Sequence, residues 1–278
     1  MKLYKRNGRV VIQHEEQFFE SDLSWDELVN HKNLFRFILT HLSSCAEVAK
    51  IDLGQSLDAP IGSQELWAAG VTYLRSKEAR EKESAQSGGG SFYDKVYDAK
   101  RPELFFKSLP SRISGHQSDV HIRRDSTWDV PEPELTLFIG SEGTIEGYTI
   151  GNDMSSRSIE GENPLYLAQA KVYDKCASLG PCLLVLENSL DLNSMIDLKI
   201  FRNNAVVFNG VTSLAKMKRS LQELADFLFL ETSFPKGVML MTGTGIVPPD
   251  DFTLEVGDRV EISIDGIGTL INHVNKKP

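Results

Sequence analysis

The spacing of apolar residues along the chain predicts a structure built mainly from β-strands. After residue 62, short apolar or alternating runs recur between turn-forming residues, which is typical of strands. These runs are ELFFKSL, ELTLFIGS, IEGYTIGND, PCLLVLE, DLKIFRN, AVVFNGV, VMLMTGTGIV and RVEISIDGIGTLINHV. A helical period is clear among them only at residues 213–231. Many strands with few helices predict a β-rich α+β fold, either a folded-over sheet or a sandwich.

The first sixty residues have a different pattern and predict a small N-terminal α/β domain. Two short strands flank a turn at Asn7 and Gly8. The segment SDLSWDELVNHKNLFRFILTHLSS then predicts one helix, with Ser24 as its N-cap and Glu27 at the capping-box position. Turn-forming residues near 60–62 then suggest a boundary. We therefore expect one domain over residues 1–62 and a larger one over residues 63–278.

A charge-dense segment follows the predicted boundary. Residues 71–86 have high helix propensity but little apolar face, and SGGGS comes directly after them. A helix so weakly tied to a core is a candidate for a mobile lid. A solvated surface helix beside a flexible loop explains the same pattern equally well.

Composition and charge exclude several classes of protein. The chain has 278 residues, 41% hydrophobic and 25% charged, which is typical of a globular protein with a sizeable core. Its net charge is −9, and this argues against nucleic acid or an anionic membrane as the main partner. No apolar run approaches the roughly 20 residues that span a bilayer, and the amino terminus lacks a secretory signal. We expect a cytoplasmic protein.

The three cysteines support a reducing compartment. Cys45, Cys176 and Cys182 are odd in number and form neither a CxxC pair nor a zinc-finger spacing. We expect them to be reduced thiols that serve in packing.

Acidic residues at strand ends predict a metal site. Glu132 and Glu134 are two residues apart in an apolar strand and therefore point to the same face, while Asp153 closes another strand. Three carboxylates without a nearby His or Cys cluster suit a hard cation such as Mg²⁺, Mn²⁺ or Ca²⁺. A surface strand pair with ordinary acidic residues is the alternative. Asp129 falls on the other face of a regular strand, so we interpret it as a strand-entry residue.

Five segments, in order, resemble the signatures of the fumarylacetoacetate hydrolase superfamily: FFKSLPSRISGH, WDVPEPELTLFIG, GYTIGNDMSSRSIE, KVYDKCASLGPCLL and MTGTGIVP. The resemblance covers about residues 67–274. It implies a mixed β-sheet roll, a homo-oligomer (a dimer or a dimer of dimers) and a divalent cation, with Mg²⁺ expected. It also implies that Glu132, Glu134 and Asp153 bind this cation.

The same resemblance implies roles for other residues. Lys171 is placed beside the metal, as a charge stabiliser or a proton carrier, and Thr244 is placed against a substrate carboxylate. The family's usual GTPxG is replaced here by Gly-Thr-Gly-Ile-Val. Lys107, Ser76 and Glu78 complete the predicted substrate-binding set.

One departure from the family pattern concerns water activation. The hydrolases of this superfamily usually carry NYxxHxxE, whereas this chain has VTYLRSKEAREKE, so Ser76 stands at the histidine position. Serine cannot act as a general base at neutral pH without a partner base. The hydrolytic dyad is incomplete even though Glu78 is close in sequence.

Three further segments, RPELFFK, PEPE and ENPLYL, resemble the branch of the superfamily that dehydrates sugar acids. The resemblance implies that Glu103 is an acid/base partner of Lys171. The implied reaction is dehydration of a 2-keto-3-deoxy sugar acid through a metal-stabilised enolate, most like 2-keto-3-deoxy-D-arabonate to 2,5-dioxopentanoate. Hydrolysis or decarboxylation of a diketo or oxo acid, and a non-catalytic binding protein, are the alternatives.

Overall fold

The computed structural model describes the backbone of residues 1–83 and 95–278, and the side chains of residues 1–79 and 95–278. The strands of the first half are β1 (Lys2–Arg6), β2 (Arg9–His14), β3 (Gln17–Ser21), β4 (Ala46–Val48), β5 (Glu65–Gly70), β6 (Glu103–Ser108), β7 (Ile113–Ser114) and β8 (Ser118–Ile122). Those of the second half are β9 (Asp129–Ile139), β10 (Ile145–Ser156), β11 (Ala177–Leu184), β12 (Met195–Arg202), β13 (Ala205–Ser213), β14 (Val238–Met241), β15 (Arg259–Ile264) and β16 (Gly268–Lys276). The helices are α1 (Trp25–Val29), α2 (Leu34–His41), α3 (Leu74–Glu83), α4 (Arg157–Glu162), α5 (Leu167–Lys171) and α6 (Leu221–Phe229).

The strands form two mixed sheets. The larger has the order β4-β3-β2-β1-β11-β10-β9-β14-β5-β6, with β7 beside β11, and the smaller has the order β13-β12-β15-β16-β8. Most neighbours are antiparallel, but β14 and β5, β11 and β7, and β16 and β8 are parallel. The β-rich α+β prediction is confirmed.

Strands β9 and β10 lie at the centre of the larger sheet. Every residue of β9 is buried, and β10 is buried from Gly147 onwards. A strand buried on both faces normally consists of apolar residues. These two strands also carry Glu132, Glu134 and Asp153, so the acids lie inside the protein rather than on a surface strand pair.

The N-terminal strands continue the larger sheet. Strand β1 pairs with β11 through Leu3 and Leu183, and the Met1 amine donates to the Val185 carbonyl at 2.9 Å. The predicted turn at Asn7 and Gly8 is confirmed, since both residues adopt positive φ between β1 and β2. The division into residues 1–62 and 63–278 stays a prediction, and the two parts share one sheet across it.

The predicted first helix is wrong in its extent. The capping box is present, because the Ser24 amide donates to Glu27 Oε2 at 3.0 Å and Ser24 Oγ accepts from the Glu27 amide. The helix nevertheless ends at Val29, and α2 starts after Asn33, which has a left-handed φ of 55°. The Leu34 amide donates to Glu146 Oε2 at 2.9 Å. This contact with a distant residue caps α2 separately.

The predicted helix at residues 213–231 is also shorter. Residues Leu214–Lys216 form a 3₁₀ turn, and α6 begins only after Ser220, whose Oγ accepts from the Glu223 amide at 3.1 Å. The charge-dense helix forms α3, and the end of its predicted range and the SGGGS stretch lie outside the described residues.

Two further observations concern the expected surroundings of the protein. Cys176 and Cys182 are buried free thiols and Cys45 is a partly buried one, as the packing interpretation predicts. Among the described residues, no helix is long and apolar enough to cross a bilayer.

Candidate metal and active site

The pairing of β9 with β10 brings the predicted metal ligands together. Glu132 stands directly opposite Asp153 in the antiparallel register, and Glu134 lies two residues further along on the same face. One carboxylate oxygen from each of Glu132, Glu134 and Asp153 lies within 4.8 Å of the others. We call these three residues the acidic cluster.

Burial makes the acidic cluster electrostatically unfavourable without a cation. The pKa of Glu134 is raised well above its usual value by burial, and then by the charges of Asp153 and Glu132. The Gly243 amide donates to Glu134 Oε2 at 2.7 Å and offsets part of this effect. Three buried oxygen donors, with neither His nor Cys among them, match the ligand preference of Mg²⁺. The residues present therefore fit a divalent metal ion.

Lys171 lies directly against the acidic cluster. It is the last residue of α5 and only 1% exposed. Its Nζ donates to Glu132 Oε2 at 2.6 Å, to Asp153 Oδ2 at 3.0 Å and to Ser155 Oγ at 2.5 Å. The structure thus places Lys171 beside two of the three residues of the acidic cluster.

Lys107 is also buried, and its contacts favour a positioning role. Its Nζ lies 2.5 Å from Asp153 Oδ1 and donates to the carbonyls of Met154 at 3.0 Å and Lys171 at 2.5 Å. An ammonium has three protons to donate, so these acceptors can engage all of them. Lys107 joins β10 to the end of α5, and its predicted contact with substrate stays a prediction.

Ser76 is engaged at the start of α3. Its Oγ donates to the Tyr73 carbonyl at 2.7 Å and accepts from the Tyr73 amide at 3.3 Å. The bond from the Tyr73 amide satisfies an N–H group at the helix start, where such groups lack intrahelical partners. The Tyr73 carbonyl also accepts from the Lys77 amide at 3.2 Å. In the described part of the chain, the partners of this hydroxyl are both backbone groups of Tyr73, and the incomplete hydrolytic dyad stays a prediction.

Thr244 is buried, whereas Glu78 is exposed. Thr244 is buried beside Gly243, and its Oγ1 donates to the Ile246 carbonyl and accepts from the Ile246 amide, both at 3.2 Å. Glu78 is exposed and lies 3.6 Å from Arg75. Their predicted contacts with substrate remain predictions.

Glu103 begins β6 and stands opposite Gly70 of β5. A methyl group on Gly70 would come within 2.1 Å of Glu103 Oε2, so the glutamate side chain lies directly over the glycine. Because Gly70 has no side chain, it leaves the space that the Glu103 carboxylate occupies.

Replacing Gly70 with alanine is expected to displace Glu103 and to lower turnover by about 10²-fold, because an acid/base group must stay within hydrogen-bond reach of its proton. Affinity for Mg²⁺ should stay unchanged, since the three nearest atoms that the added methyl group would meet all belong to Glu103. Steady-state kinetics and metal titration test this. Gly140→Ala is the matched control, because its nearest contact is an ordinary 3.5 Å. Unchanged turnover in Gly70→Ala would contradict the proposed acid/base role of Glu103.

Sequence reasoning missed two buried residues of α4. Arg157, 2% exposed, donates from Nη2 to Glu132 Oε1 at 2.6 Å. Glu160, equally buried, lies 3.8 Å from Arg157 Nε and 3.6 Å from Lys171 Nζ. Both stand in the quoted motif SSRSIE, but charged residues three apart are also typical of a solvated helix face.

Tyr73 is a third residue that sequence reasoning missed. Its hydroxyl is buried and has no hydrogen-bond partner within residues 1–79 and 95–278. Burial, and then the charge of Glu134, raise its pKa. With Glu78 and Thr212 it lines a pocket of about 430 Å³ near the acidic cluster.

Asp129 opens β9 as the strand-entry interpretation predicts, and it is not part of the acidic cluster. Burial raises its pKa to about 6, from a usual value of 3.8. Between pH 3.8 and about pH 6, Asp129 binds more protons in the folded protein than in the unfolded chain. The contribution of Asp129 to the free energy of unfolding therefore falls as pH rises.

Asp129→Asn is therefore expected to raise the free energy of unfolding by about 2–3 kcal/mol at pH 7, because the amide carries no charge to bury. Near pH 4 the difference should vanish. Urea unfolding of both proteins between pH 4 and pH 7.5 measures it. A difference that is equal at both ends of this range would contradict the assignment.

Comparison with known proteins agrees with this geometry. Residues 67–275 match the fumarylacetoacetate hydrolase C-terminal family. The chain is 48% identical over 216 residues to a probable 2-keto-3-deoxyxylonate dehydratase of Haloferax volcanii, covering 77% of this chain and 73% of that protein. It is 43% identical over 220 residues to a 2-dehydro-3-deoxy-D-arabinonate dehydratase of Saccharolobus solfataricus, covering 78% and 74%.

Solved structures share the whole architecture. A 2-keto-3-deoxy-D-arabinonate dehydratase complexed with magnesium and 2,5-dioxopentanoate superposes with a TM-score of 0.88 at 35% identity, covering 100% of this chain and 99% of that one. A fumarylacetoacetate hydrolase of Exiguobacterium antarcticum, at 20% identity and a TM-score of 0.68, shares the fold. The ordered motifs, the roll of two mixed sheets and these matches show that the chain belongs to the fumarylacetoacetate hydrolase family.

Proposed function

We propose that the protein is a Mg²⁺-dependent dehydratase of a 2-keto-3-deoxy pentonate, with 2,5-dioxopentanoate as its product. The observation that carries this proposal is the buried acidic cluster with the Lys171 ammonium bonded to two of its members. The serine at the hydrolases' histidine position supports dehydration over hydrolysis. The dehydratase names of the similar proteins support the same reaction.

Glu132, Glu134 and Asp153 would hold the metal ion. Mg²⁺, or Mn²⁺ or Ca²⁺ in its place, supplies a positive charge that polarises a carbonyl group and binds a carboxylate.

The local charge suits an anionic substrate. The acidic cluster and Glu160 provide four carboxylates, and these face three cations. The cations are Lys107, Lys171 and Arg157. With all of them ionised, the group carries one excess negative charge. A divalent ion changes this to one excess positive charge, which a 2-oxo acid monoanion neutralises.

Lys171 and Glu103 are the proposed proton carriers. Removal of a C3 proton and loss of the C4 hydroxyl as water give a C3–C4 double bond. A proton shift from C5 to C3 and conversion of the resulting enol to an aldehyde then yield 2,5-dioxopentanoate. Glu103 has the carboxylate that can accept a proton, and the Lys171 ammonium can donate hydrogen bonds to the oxygen on which negative charge develops.

The reaction can be tested by its carbon balance. The Mg²⁺-loaded protein is expected to convert 2-keto-3-deoxy-D-arabonate, or the xylonate, into the five-carbon product 2,5-dioxopentanoate, which has one aldehyde and one ketone group and is measured by mass spectrometry. Acylpyruvates should release no pyruvate. Cleavage of acylpyruvates with the pentonates left unchanged would instead establish hydrolysis. Turnover that is undiminished after removal of the metal would contradict the metal-dependent mechanism.

We also propose that the protein is a cytoplasmic homo-oligomer. Strand β13 is an edge strand, and Val206, Val207 and Val211 on it are exposed. An apolar edge strand is a ready site for pairing with another chain. Light scattering coupled to gel filtration tests this, and a monomer at micromolar concentration would contradict it. The reduced, buried cysteines are consistent with the cytoplasm.

A further inference from the structure

A second pocket, of about 490 Å³, opens between β8 and the chain that follows α5. None of its lining residues belongs to the acidic cluster. Its charged lining side chains are Arg112, Arg123, Arg124, Lys277, Asp125 and Asp174. Four cations against two anions give the lining a net charge of +2, in a chain whose total is −9. We call it the basic pocket.

One buried polar group that lines the basic pocket has no hydrogen-bond partner among the residues that the structure describes. His121 lines it and is 7% exposed, and its Nδ1 has no hydrogen-bond partner in the described part of the chain. Burial, and then the charge of Lys175, hold the pKa of His121 below its usual range. Nδ1 is itself buried, so a ligand in the pocket can form a hydrogen bond with it only if the imidazole turns toward the pocket.

The arginines differ in how strongly the protein already holds them. Asp125 accepts from Arg123 Nε at 2.8 Å and from Nη2 at 2.6 Å. Arg112 is 3.9 Å from Asp174, which also pairs with Lys277 at 2.7 Å. Arg124 donates to the Pro278 oxygen at 3.3 Å. Arg112 and Arg124 are thus loosely held, and planar guanidinium groups are well suited to bind phosphate and carboxylate.

Arg123 connects the basic pocket to the helix that carries Lys171. Its Nη1 donates at 3.0 Å to the Gln169 carbonyl, which belongs to α5. Its guanidinium also lies 5.5 Å from the centre of the Tyr173 ring, and Lys107 Nζ lies 5.9 Å from the same ring. Lys107 in turn holds Asp153. The pocket is therefore linked to α5 directly, through Arg123 and Gln169, and to Lys107 only through the Tyr173 ring.

We propose that the basic pocket binds a small dianion, such as a phosphate or a dicarboxylate, and that the bound anion changes the rate of the active site through Arg123 and α5. The net charge of +2 matches a dianion. An anion that recruits Arg123 competes with Asp125 and alters the bond to Gln169. The binding part is independent of the proposed reaction, whereas the effect on rate rests on it.

Isothermal titration of the Mg²⁺-loaded protein with inorganic phosphate, and separately with succinate, tests the binding. Constant ionic strength is maintained with chloride, because screening weakens exposed charges. We expect saturable binding of at least one anion with a Kd of about 1 mM or tighter. Preference for phosphate would indicate a phosphate ligand, and preference for succinate a dicarboxylate.

The double variant Arg112→Gln/Arg124→Gln should weaken this binding about tenfold or more, since it removes two charge-assisted contacts. Arg36→Gln/Lys50→Gln is the control, because it removes the same charge from exposed positions elsewhere. No saturable binding of either anion to wild type, or equal binding to wild type and the Arg112/Arg124 variant, would overturn the proposed site.

Dehydration rates with and without the anion test the connection to the active site. We expect the saturating anion to change the wild-type rate at least about twofold, a small coupling on the usual scale. The Arg112→Gln/Arg124→Gln protein should keep the basal rate and lose the response. An equal response in both proteins would show that the anion acts elsewhere, and binding without a change in rate would overturn the connection.

Discussion

Glu132→Gln is expected to lower the affinity for Mg²⁺ at least about 100-fold, because the change removes an anionic ligand. Even the loss of a residue that only supports a metal ligand lowers metal affinity about 10- to 100-fold. Turnover should fall in parallel at a fixed metal concentration. Glu132 also neutralises Arg157 at 2.6 Å and Lys171 at 2.6 Å. Two buried cations lose a partner, so the metal-free protein should lose about 3–5 kcal/mol of stability.

Metal titration by calorimetry and urea unfolding of the metal-free protein measure these two effects. Glu103→Gln is the comparison that separates the roles, because Glu103 should affect proton transfer alone. It is expected to retain Mg²⁺ and to lose turnover about 10²–10⁴-fold. Glu187→Gln, at an exposed position, controls for the loss of one charge. Equal metal loss in Glu132→Gln and Glu103→Gln would show that the two roles are wrongly assigned.

Lys171→Met is expected to lower kcat by about 10²–10⁴-fold, because it removes the ammonium that stabilises developing charge while it keeps most of the side-chain volume. Affinity for Mg²⁺ should be unchanged or tighter. Lys171 Nζ donates to Glu132 Oε2 at 2.6 Å and to Asp153 Oδ2 at 3.0 Å, so it would lie beside a cation held by the acidic cluster. Removing a positive charge beside a divalent cation reduces repulsion.

Single-turnover kinetics at saturating Mg²⁺ separate this effect from metal binding. Lys175→Met is a suitable control, since Lys175 is close in sequence but pairs with Asp119 at 3.6 Å, away from the acidic cluster. A Lys171→Met protein that keeps wild-type kcat would exclude Lys171 from the chemistry. A large loss of Mg²⁺ affinity would show instead that the lysine organises the ligands.

Local patterns in the sequence determined several features of this protein. The spacing of two between Glu132 and Glu134 places both on one face of any strand, whatever the rest of the chain does. The turn at Asn7 and Gly8 needs positive φ, which these residues tolerate, and the capping box depends on neighbours three residues apart. The ordered motifs predicted the family, and its matched range of residues 67–275 agrees with the predicted one.

The extent of the helices and the joining of the N-terminal strands were decided by tertiary structure. Helix α2 has the local residue Asn33 as its N-cap, and Glu146, more than a hundred residues away, accepts from its first amides as well. Strand β1 joins the larger sheet through Leu183 of β11. Such contacts depend on register between distant strands, and helical period or turn composition carries no information about them.

The surroundings of the acidic cluster were likewise decided only by the fold. Lys107 donates to the Lys171 carbonyl, 64 residues away, and pairs with Asp153, contacts that no local pattern indicates. Arg157 and Glu160 have the composition of a solvated helix face, yet both are buried against the acidic cluster. A local pattern specifies which residue types are adjacent, whereas burial of a charge and the partner that neutralises it are set by segments that only folding brings together.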